Sequence, residues 1–514
     1  MNNKTVDHLM IKAKSYTKMR NLVEAQRLYH SILKTFPKNK RAQDGLLALK
    51  KLNQNNVKQN LPQKFYDELI DLYNLGEFSR IIDRGRTLAK EYPEEYILWN
   101  ILGVSLAQTG LIDEAIKYFN KAIFLKPNFA DAYSNLGSSL EKKGKPEEAI
   151  NAFQKALKLK PDHANSYFNL GNIFKDQDKL DKAINFYKKA IFYKPNYAEA
   201  HHNLSIALLN SGKLKEGFDE NEWRWKTPKF LSQQRCFKKP LWDGKQSLAG
   251  KKILVWCEQG IGDTIMWSST LSLLNSLSGQ IILECQEKIL PLLKRSFPNI
   301  KIKPENRDFD LERNDFDYHL PMGDLFKHFI SYIPKNINKN AFLVSDIDRV
   351  NFWKGKLESL GEGPYIGLSW KSGDMSSSRF QNYANVSELS PIFNVPEITF
   401  INLQYKDFID DLIKVENEFG VKIHNFDDLD HFNNIDDVAA LSTCLDMVVS
   451  TQGVVPIISA AVGTSTKLAS WKQSPWNNVL HKPVGPLVDK FERNTGEPWE
   501  KVFNLIAYDI RKTI

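Results

Sequence analysis

The sequence predicts two architectures in tandem, an all-α array of helix pairs over residues 1–220 followed by an α/β region built as two doubly wound halves. Three observations predict this. Residues 99–195 repeat themselves with a period of 34. From Lys251 onward, short β-rich runs alternate with helical ones. Between these regions, Asn221–Pro240 is aromatic and basic and follows neither pattern.

The repeat is read from eight matched positions. Trp99, Leu102, Gly103, Gly110, Ala115, Phe119, Ala122 and Pro127 recur as Tyr133, Leu136, Gly137, Gly144, Ala149, Phe153, Ala156 and Pro161. They recur again as Tyr167, Leu170, Gly171, Asp178, Ala183, Tyr187, Ala190 and Pro195. Small residues let the first helix of a unit touch the second closely, glycine turns the chain between them, and proline ends the second. One such unit cannot bury its own apolar face, so units stack. Weaker copies extend the array to about five or six units: Leu9 to Pro37, Phe65 to Pro93, and a last unit from His201 that loses the pattern at Asn221. This spacing resembles the tetratricopeptide repeat, a helix–turn–helix unit. An insertion falls near residues 43–63, where Lys50–Gln63 is rich in Lys, Asn and Gln. It fits a loose connection between units or a helix extending past the first unit.

Composition narrows the class. A chain of 514 residues with 42% hydrophobic and 25% charged residues has the balance of a globular protein with two or three domains. No run approaches the roughly 18 apolar residues of a membrane span. The start, MNNKTVDHLMIKAKSY, has neither the apolar core nor the cleavage site of a secretory signal, so the expected location is the cytoplasm. Cys236, Cys257, Cys285 and Cys444 lack metal-ligand spacing and read as reduced thiols. The net charge of +9 is modest for this length, and no basic stretch interleaved with aromatics points to nucleic acid.

Residues 221–250 read as a junction in which Trp223 and Trp225 cap the array against the next domain. Residues 251–345 form the first α/β half. Its strands are expected at Lys252–Cys257, Ile281–Cys285 and Asp317–Pro321, with helices at Thr264–Leu277 and Ile289–Phe297. Residues 346–514 form the second, with a linking helix Arg349–Leu360 and strands Tyr365–Trp370, Ile398–Gln404, Val421–Phe426, Met447–Thr451 and Ser465–Trp471. Intervening helices and a closing helix Trp499–Ile510 complete it. Alternation at these lengths indicates parallel sheets covered by helices, with ligands bound at the carboxyl ends of the strands.

The local motif richest in chemistry is VWCEQGIGDTIMW. A strand runs into Gly260-Ile261-Gly262-Asp263 and then a helix. Gly260 and Gly262 permit close approach of a ligand to backbone, and free N–H groups at a helix start favour anions. Asp263 fits a plain helix-capping aspartate or a carboxylate facing the cleft. No Ser-His-Asp order, Cys/His zinc spacing or Walker A loop is present, and neither a metal nor a cofactor is expected.

The strand–G-x-G-D–helix start resembles the ADP-heptose:lipopolysaccharide heptosyltransferase family, whose architecture, GT-B, has two Rossmann-like halves. The combination with repeats is similar to bacterial repeat-containing glycosyltransferase-like proteins. The resemblance spans roughly Lys251 to Ile510 and implies a metal-independent transfer of sugar from a nucleotide-diphosphate donor. It gives Asp263 the role of general base. It implies a donor site on the second half: Trp370, Lys371, Ser372 and Arg379 at a phosphate-contacting loop, Gln404 on the neighbouring edge, and Thr451, Gln452 and Gly453 at a strand-to-helix turn. An exposed polar loop also fits Lys371 to Arg379. The sequence departs from the family at that turn, where Gln452 stands in place of an aspartate and Ile457 in place of a histidine.

Two functions follow: a glycosyltransferase whose acceptor, a protein, is held by the repeats, and an interaction scaffold carrying a degenerate transferase domain. Asn135, Asn169 and Asn203 recur at the repeat period, one residue before Leu136, Leu170 and Leu204. In the similar O-GlcNAc transferases such asparagines form a ladder that binds extended peptide, since an amide offers both donor and acceptor. Bonds between neighbouring helices fit these asparagines equally.

Overall fold

The computed structural model describes residues 3–18, 21–54, 61–231, 233–277, 279–306, 311–329, 341–371, 382–471, 488–494 and 497–514. The chain divides into two compact units, Met1–Asn169 and Leu170–Ile514.

The first unit is helical throughout its described residues. Asn3–Lys18 pairs with Leu22–Thr35, Gln63–Asn74 with Phe78–Glu91, Tyr96–Gln108 with Ile112–Leu125, and Ala130–Lys142 with Pro146–Leu159. The matched positions face inward: Ala115, Phe119, Ala122, Ala149, Phe153 and Ala156 are all buried. The glycine requirement is steric at Gly137, where an added Cβ would lie 2.8 Å from the Phe153 ring. At Gly144 it is conformational, because φ is +75° in the turn between helices. Helix Lys40–Gln54 occupies much of the stretch expected as an insertion. Residues 55–60 lie outside the described residues.

The second unit begins with the end of the repeat array. Leu180–Tyr193, Ala198–Asn210 and Leu214–Asn221 are its helices. Asp178, at a glycine position of the repeat, takes the left-handed turn with φ 58°, a conformation that aspartate tolerates better than most residues. The chain then makes one 3-10 turn, Glu222–Lys226. Trp223 stacks on the His201 ring at 3.8 Å, and Trp225 packs against Trp256 at 5.7 Å. The two tryptophans thus join the last repeat to the sheet behind it.

Among the described residues, ten parallel strands form two sheets. The first half holds β1 (Lys252–Trp256), β2 (Gln280–Cys285), β3 (Lys301–Pro304) and β4 (Tyr318–Pro321) in the order β3-β2-β1-β4. The second holds β5 (Tyr365–Ser369), β6 (Thr399–Asn402), β7 (Ile423–His424), β8 (Met447–Ser450), β9 (Ser465–Trp471) and β10 (Val488–Arg493), ordered β10-β9-β8-β5-β6-β7. Near-continuous burial along β1, β2 and β8 is what a parallel sheet covered on both faces requires. One apolar core, including Leu209, Val255, Leu283, Ile401, Val448 and Ile458, is shared by the last repeat and both sheets. Helix Trp499–Thr513 closes a separate core on the second sheet through Phe503, Ile506 and Ile510.

Two expectations change. The single helix Thr264–Leu277 is two, Ile261–Ser268 and Leu271–Asn275. The hydroxyls of Ser268, Ser269 and Thr270 bond back to the carbonyls of Ile265, Met266 and Trp267 at 2.7–2.8 Å, the competition with helical bonding that bends or ends a helix. Strands β3 and β10 are additional. Both are sheet edges, and β3 is only four residues long and ends in proline.

Gly137→Val will force the Phe153 ring from its place. A loss of about 1–3 kcal/mol is expected from overpacking, read as a lower midpoint in chemical denaturation, with the exposed Gln154→Ala as the near-neutral control.

Candidate functional site

Strand β1 delivers the chain into Cys257-Glu258-Gln259-Gly260, and helix Ile261–Ser268 starts at Gly260. Asp263 lies in its first turn, half-buried, with a carboxylate oxygen 3.5 Å from where a Gly260 Cβ would be. Gln286, just past β2, ties the turn down: its amide donates to the Gln259 carbonyl at 2.8 Å and its oxygen accepts from Thr264 Oγ1 at 3.2 Å.

Across from this turn, β8 delivers Thr451, Gln452 and Gly453, and helix Val454–Ala461 starts at Gly453. Thr451 is buried, its amide bonded to the Ser369 carbonyl at 2.9 Å, while Gln452 and Gly453 are half-buried. The two turns meet. A Cβ on Gly262 would lie 3.2 Å from Ile457 Cδ1 and 3.8 Å from the Val454 backbone. Gly262 therefore serves the packing of one sheet's helix on the other's, and Ile457 is the apolar residue that fills the contact.

The remaining sequence-predicted residues sit at the carboxyl ends of β5 and β6. Trp370 is fully buried, and its indole N–H donates to Asp411 at 2.8 Å. Lys371 Nζ bonds to the same Asp411 carboxylate and to the Asp407 carbonyl, each at 2.6 Å. Lys371 is thus half of an ion pair, and any phosphate would compete with Asp411 for it. Gln404 is fully buried and shapes the edge: its Oε1 accepts from the amides of Trp370 and Lys371 at 3.1 and 3.0 Å. Ser372 and Arg379 lie outside the described residues. A cleft of about 400 Å³ between the halves is lined by Glu287, Lys288, Pro291, Asn433, Asn434 and Asp436, apart from Asp263 and Gly453. Among the described residues no group of His, Cys, Asp and Glu side chains is arranged to hold a metal ion.

Directly behind the Asp263 turn is a charge cluster that the motif reading missed. Glu258 is fully buried and accepts from Arg224 Nη2 at 3.0 Å and from the Gly323 amide at 3.1 Å. Arg224 also reaches Asp324 at 2.7 Å. Burial and the neighbouring Asp324 charge outweigh the attraction of Arg224 and push Glu258 up to about 7. The signal was present in the sequence as an arginine between two tryptophans, a charge among residues that prefer burial.

The repeat asparagines find partners within the helices. Asn135 donates to Asn100 Oδ1 at 3.0 Å and Asn169 to Ser138 Oγ at 3.0 Å. Asn203 donates to Asn172 Oδ1 at 2.8 Å. All three remain half-buried.

Family models place the repeats. The model described as tetratricopeptide repeat matches residues 128–191, and one described as TPR repeat matches residues 103–144 and 171–212. Residues 103–212 carry tetratricopeptide repeats. A curated relative, Protein FlbA of Caulobacter vibrioides, is 29% identical over 460 residues, covering 86% of this chain and 71% of its own. The peroxisomal targeting signal receptors of Kluyveromyces lactis and Candida glabrata are 42% and 41% identical over 64 residues, 12% of this chain and 11% of each receptor. Among solved structures, a MamA crystal structure is 26% identical, covers 32% of this chain and 96% of its own, and has a TM-score of 0.28. YrrB, a TPR protein with an unusual peptide-binding site, is 18% identical over 31% of this chain and 81% of its own, with a TM-score of 0.26. No helix among the described residues is long and apolar enough to cross a membrane.

Two outcomes follow. Asn203→Ala removes the bond to Asn172 and is expected to cost about 1 kcal/mol, measured by urea denaturation. Glu258, raised above its ordinary value of 4.5 to about 7, contributes stability that is complete below the unfolded value and is lost as pH rises through the folded one. Glu258→Gln cannot ionise, so its stability relative to the native chain will improve between pH 5 and pH 8. A pH-independent difference in denaturation midpoint would refute the assignment.

Proposed function

We propose that the chain is a repeat-guided glycosyltransferase of GT-B type, which moves a sugar from a nucleotide-diphosphate donor to a protein acceptor held by its tetratricopeptide repeats. The observation that carries this reading is the place of Asp263: on the first turn of the helix after β1, half-buried, at the seam where that turn meets the Gly453 turn of the second sheet. A hydroxyl nucleophile needs a proton acceptor within hydrogen-bond reach, and a carboxylate there meets the need.

The strand orders support it. Renumbered from the first strand of each sheet, they run 3-2-1-4 and 3-2-1-4-5-6, the Rossmann order, which reverses beside β1 and beside β5. Ligands of such sheets bind outside the carboxyl ends of the strands at that reversal. In the donor site the backbone after Gly453 orients the diphosphate, Gln404 holds the Trp370–Lys371 backbone beside it, Lys371 exchanges Asp411 for phosphate, and Ser372 and Arg379 add donors. Helix dipoles and these cations stand in for a metal when the leaving diphosphate develops charge. The repeats supply acceptor recognition; the relatives that match over 64 residues are themselves named receptors of a targeting signal.

A second reading, a scaffold with a degenerate transferase domain, draws on one specific contact. Ile457, at the position of the family's histidine, packs on Gly262 and offers no polar group to a donor. Thermal-shift titrations with UDP-, GDP-, ADP- and CDP-sugars separate the two. A shift with one nucleotide class and hydrolysis or transfer of its sugar supports the enzyme, and flat melting curves with all four support the scaffold. Given turnover, Asp263→Asn should lower it by roughly 10²-fold or more, the scale of a general base, with donor binding retained. Near-normal turnover in that variant refutes the role.

A further inference from the structure

The clamp behind the Asp263 turn is built from three separate stretches of chain. Arg224 comes from the 3-10 turn that follows the last repeat helix. Glu258 precedes Gly260 by two residues, and Asp324 follows β4. Arg224 is 1% exposed; besides the two carboxylates it donates to the Asn221 carbonyl at 3.1 Å and lies 4.4 Å from the Trp225 ring.

Contacts continue from Glu258 to the far side of the Asp263 helix. Gly323 donates to Glu258 and has no room for a side chain: a Cβ there would lie 2.4 Å from Glu258 Oε1 and 3.2 Å from the Trp267 ring. Trp267 is buried and stands four residues after Asp263, one helical turn on. The sequence of contacts Arg224, Glu258, Gly323, Trp267 therefore holds the helix that bears Asp263 both before its first turn and one turn beyond.

We propose that Arg224 is a positioning residue for Asp263, which fixes the Glu258–Asp263 turn through its two buried carboxylate bonds and so makes the geometry of the candidate site depend on the end of the repeat array. The proposal rests on the reading of Asp263 as the acting carboxylate. A guanidinium suits this position because Nη2 donates to both carboxylates while Nη1 holds the Asn221 carbonyl, and the group keeps its charge at any pH the protein meets. The buried cluster holds one cation and two carboxylates. The groups facing Glu258 are Arg224, Asp324 and the Gly323 amide, with the Cys257 thiol adjacent. On the segment beyond Asp324, His328 is near that carboxylate and Lys327 pairs with Glu222. Ionisation of Glu258 adds a second negative charge to the sealed site and loosens the turn.

Hydrogen exchange of the full chain, read by mass spectrometry, tests this without any donor. Residues 257–268 report on the turn, and β5 and β8 serve as reference. Arg224→Met should speed exchange in 257–268 by tenfold or more while the reference strands stay unchanged. In the native chain, exchange of 257–268, corrected for its intrinsic pH dependence, should rise between pH 6 and pH 8 as Glu258 ionises. Glu258→Gln should flatten that rise. Native rates in Arg224→Met, equal acceleration of the reference strands, or the same pH profile in Glu258→Gln would each overturn the proposal. If Arg224→Met does not fold, Arg224→Lys, which keeps the charge but cannot make all three bonds, replaces it: faster exchange in 257–268 is expected, and native rates overturn the proposal. Failure of the transferase reading would appear instead as absent donor binding with these exchange results intact.

Discussion

Arg224 carries a charge that no proton transfer within the protein can remove, in a site closed to water. Leaving it unpaired there would cost several kcal/mol, so the chain must bring carboxylates to it. Glu258 and Asp324 answer from the ends of β1 and β4, and the Gly323 backbone completes the cluster. A second buried pair works the same way: Arg235 of the junction reaches Glu284 of β2 at 2.7 Å, and Arg313 reaches the other oxygen of Glu284 at 2.5 Å. The junction is thus seated on the first sheet by buried ion pairs. Apolar contacts such as Phe218 with Phe326 fill the space between. Such ion pairs add little net stability compared with apolar packing, but they fix one arrangement over its competitors.

The repeats were legible because their physics is local and periodic. Each Gly–Phe or Gly–Tyr contact recurs at fixed spacing, and one copy explains the next. Most strands were legible for a similar reason, since runs such as Ile253–Trp256 have no polar face to misread. The edges were less clear. β3 is four residues long and ends in proline, and β10 follows a stretch whose spacing gives no strand signal. The split of the expected helix after Ser268 depends on three hydroxyls turning back on their own carbonyls, a choice that propensity alone does not dictate.

The candidate site was legible as a place more than as an arrangement. The motif located Gly260, Gly262 and Asp263, and in the structure the two glycines play different parts. Gly260 starts the helix, while Gly262 admits Ile457 from the other sheet. That contact joins residues 195 positions apart, and no pattern within either segment announces it. The same holds for Lys371, whose partner Asp411 lies on the helix after the next strand. Long-range pairing decides whether a charged side chain waits for a ligand or is already engaged.

Repeat arrays need a finished end, because the outermost unit otherwise exposes the face that a neighbour would cover. Here the turn holding Trp223, together with the first sheet, covers the last helix pair, and the second compact unit begins within the repeats at Leu170. The array therefore has one end whose sequence is constrained by the sheet. Leu209, Leu214 and Phe218 can change only together with the sheet residues that share their core.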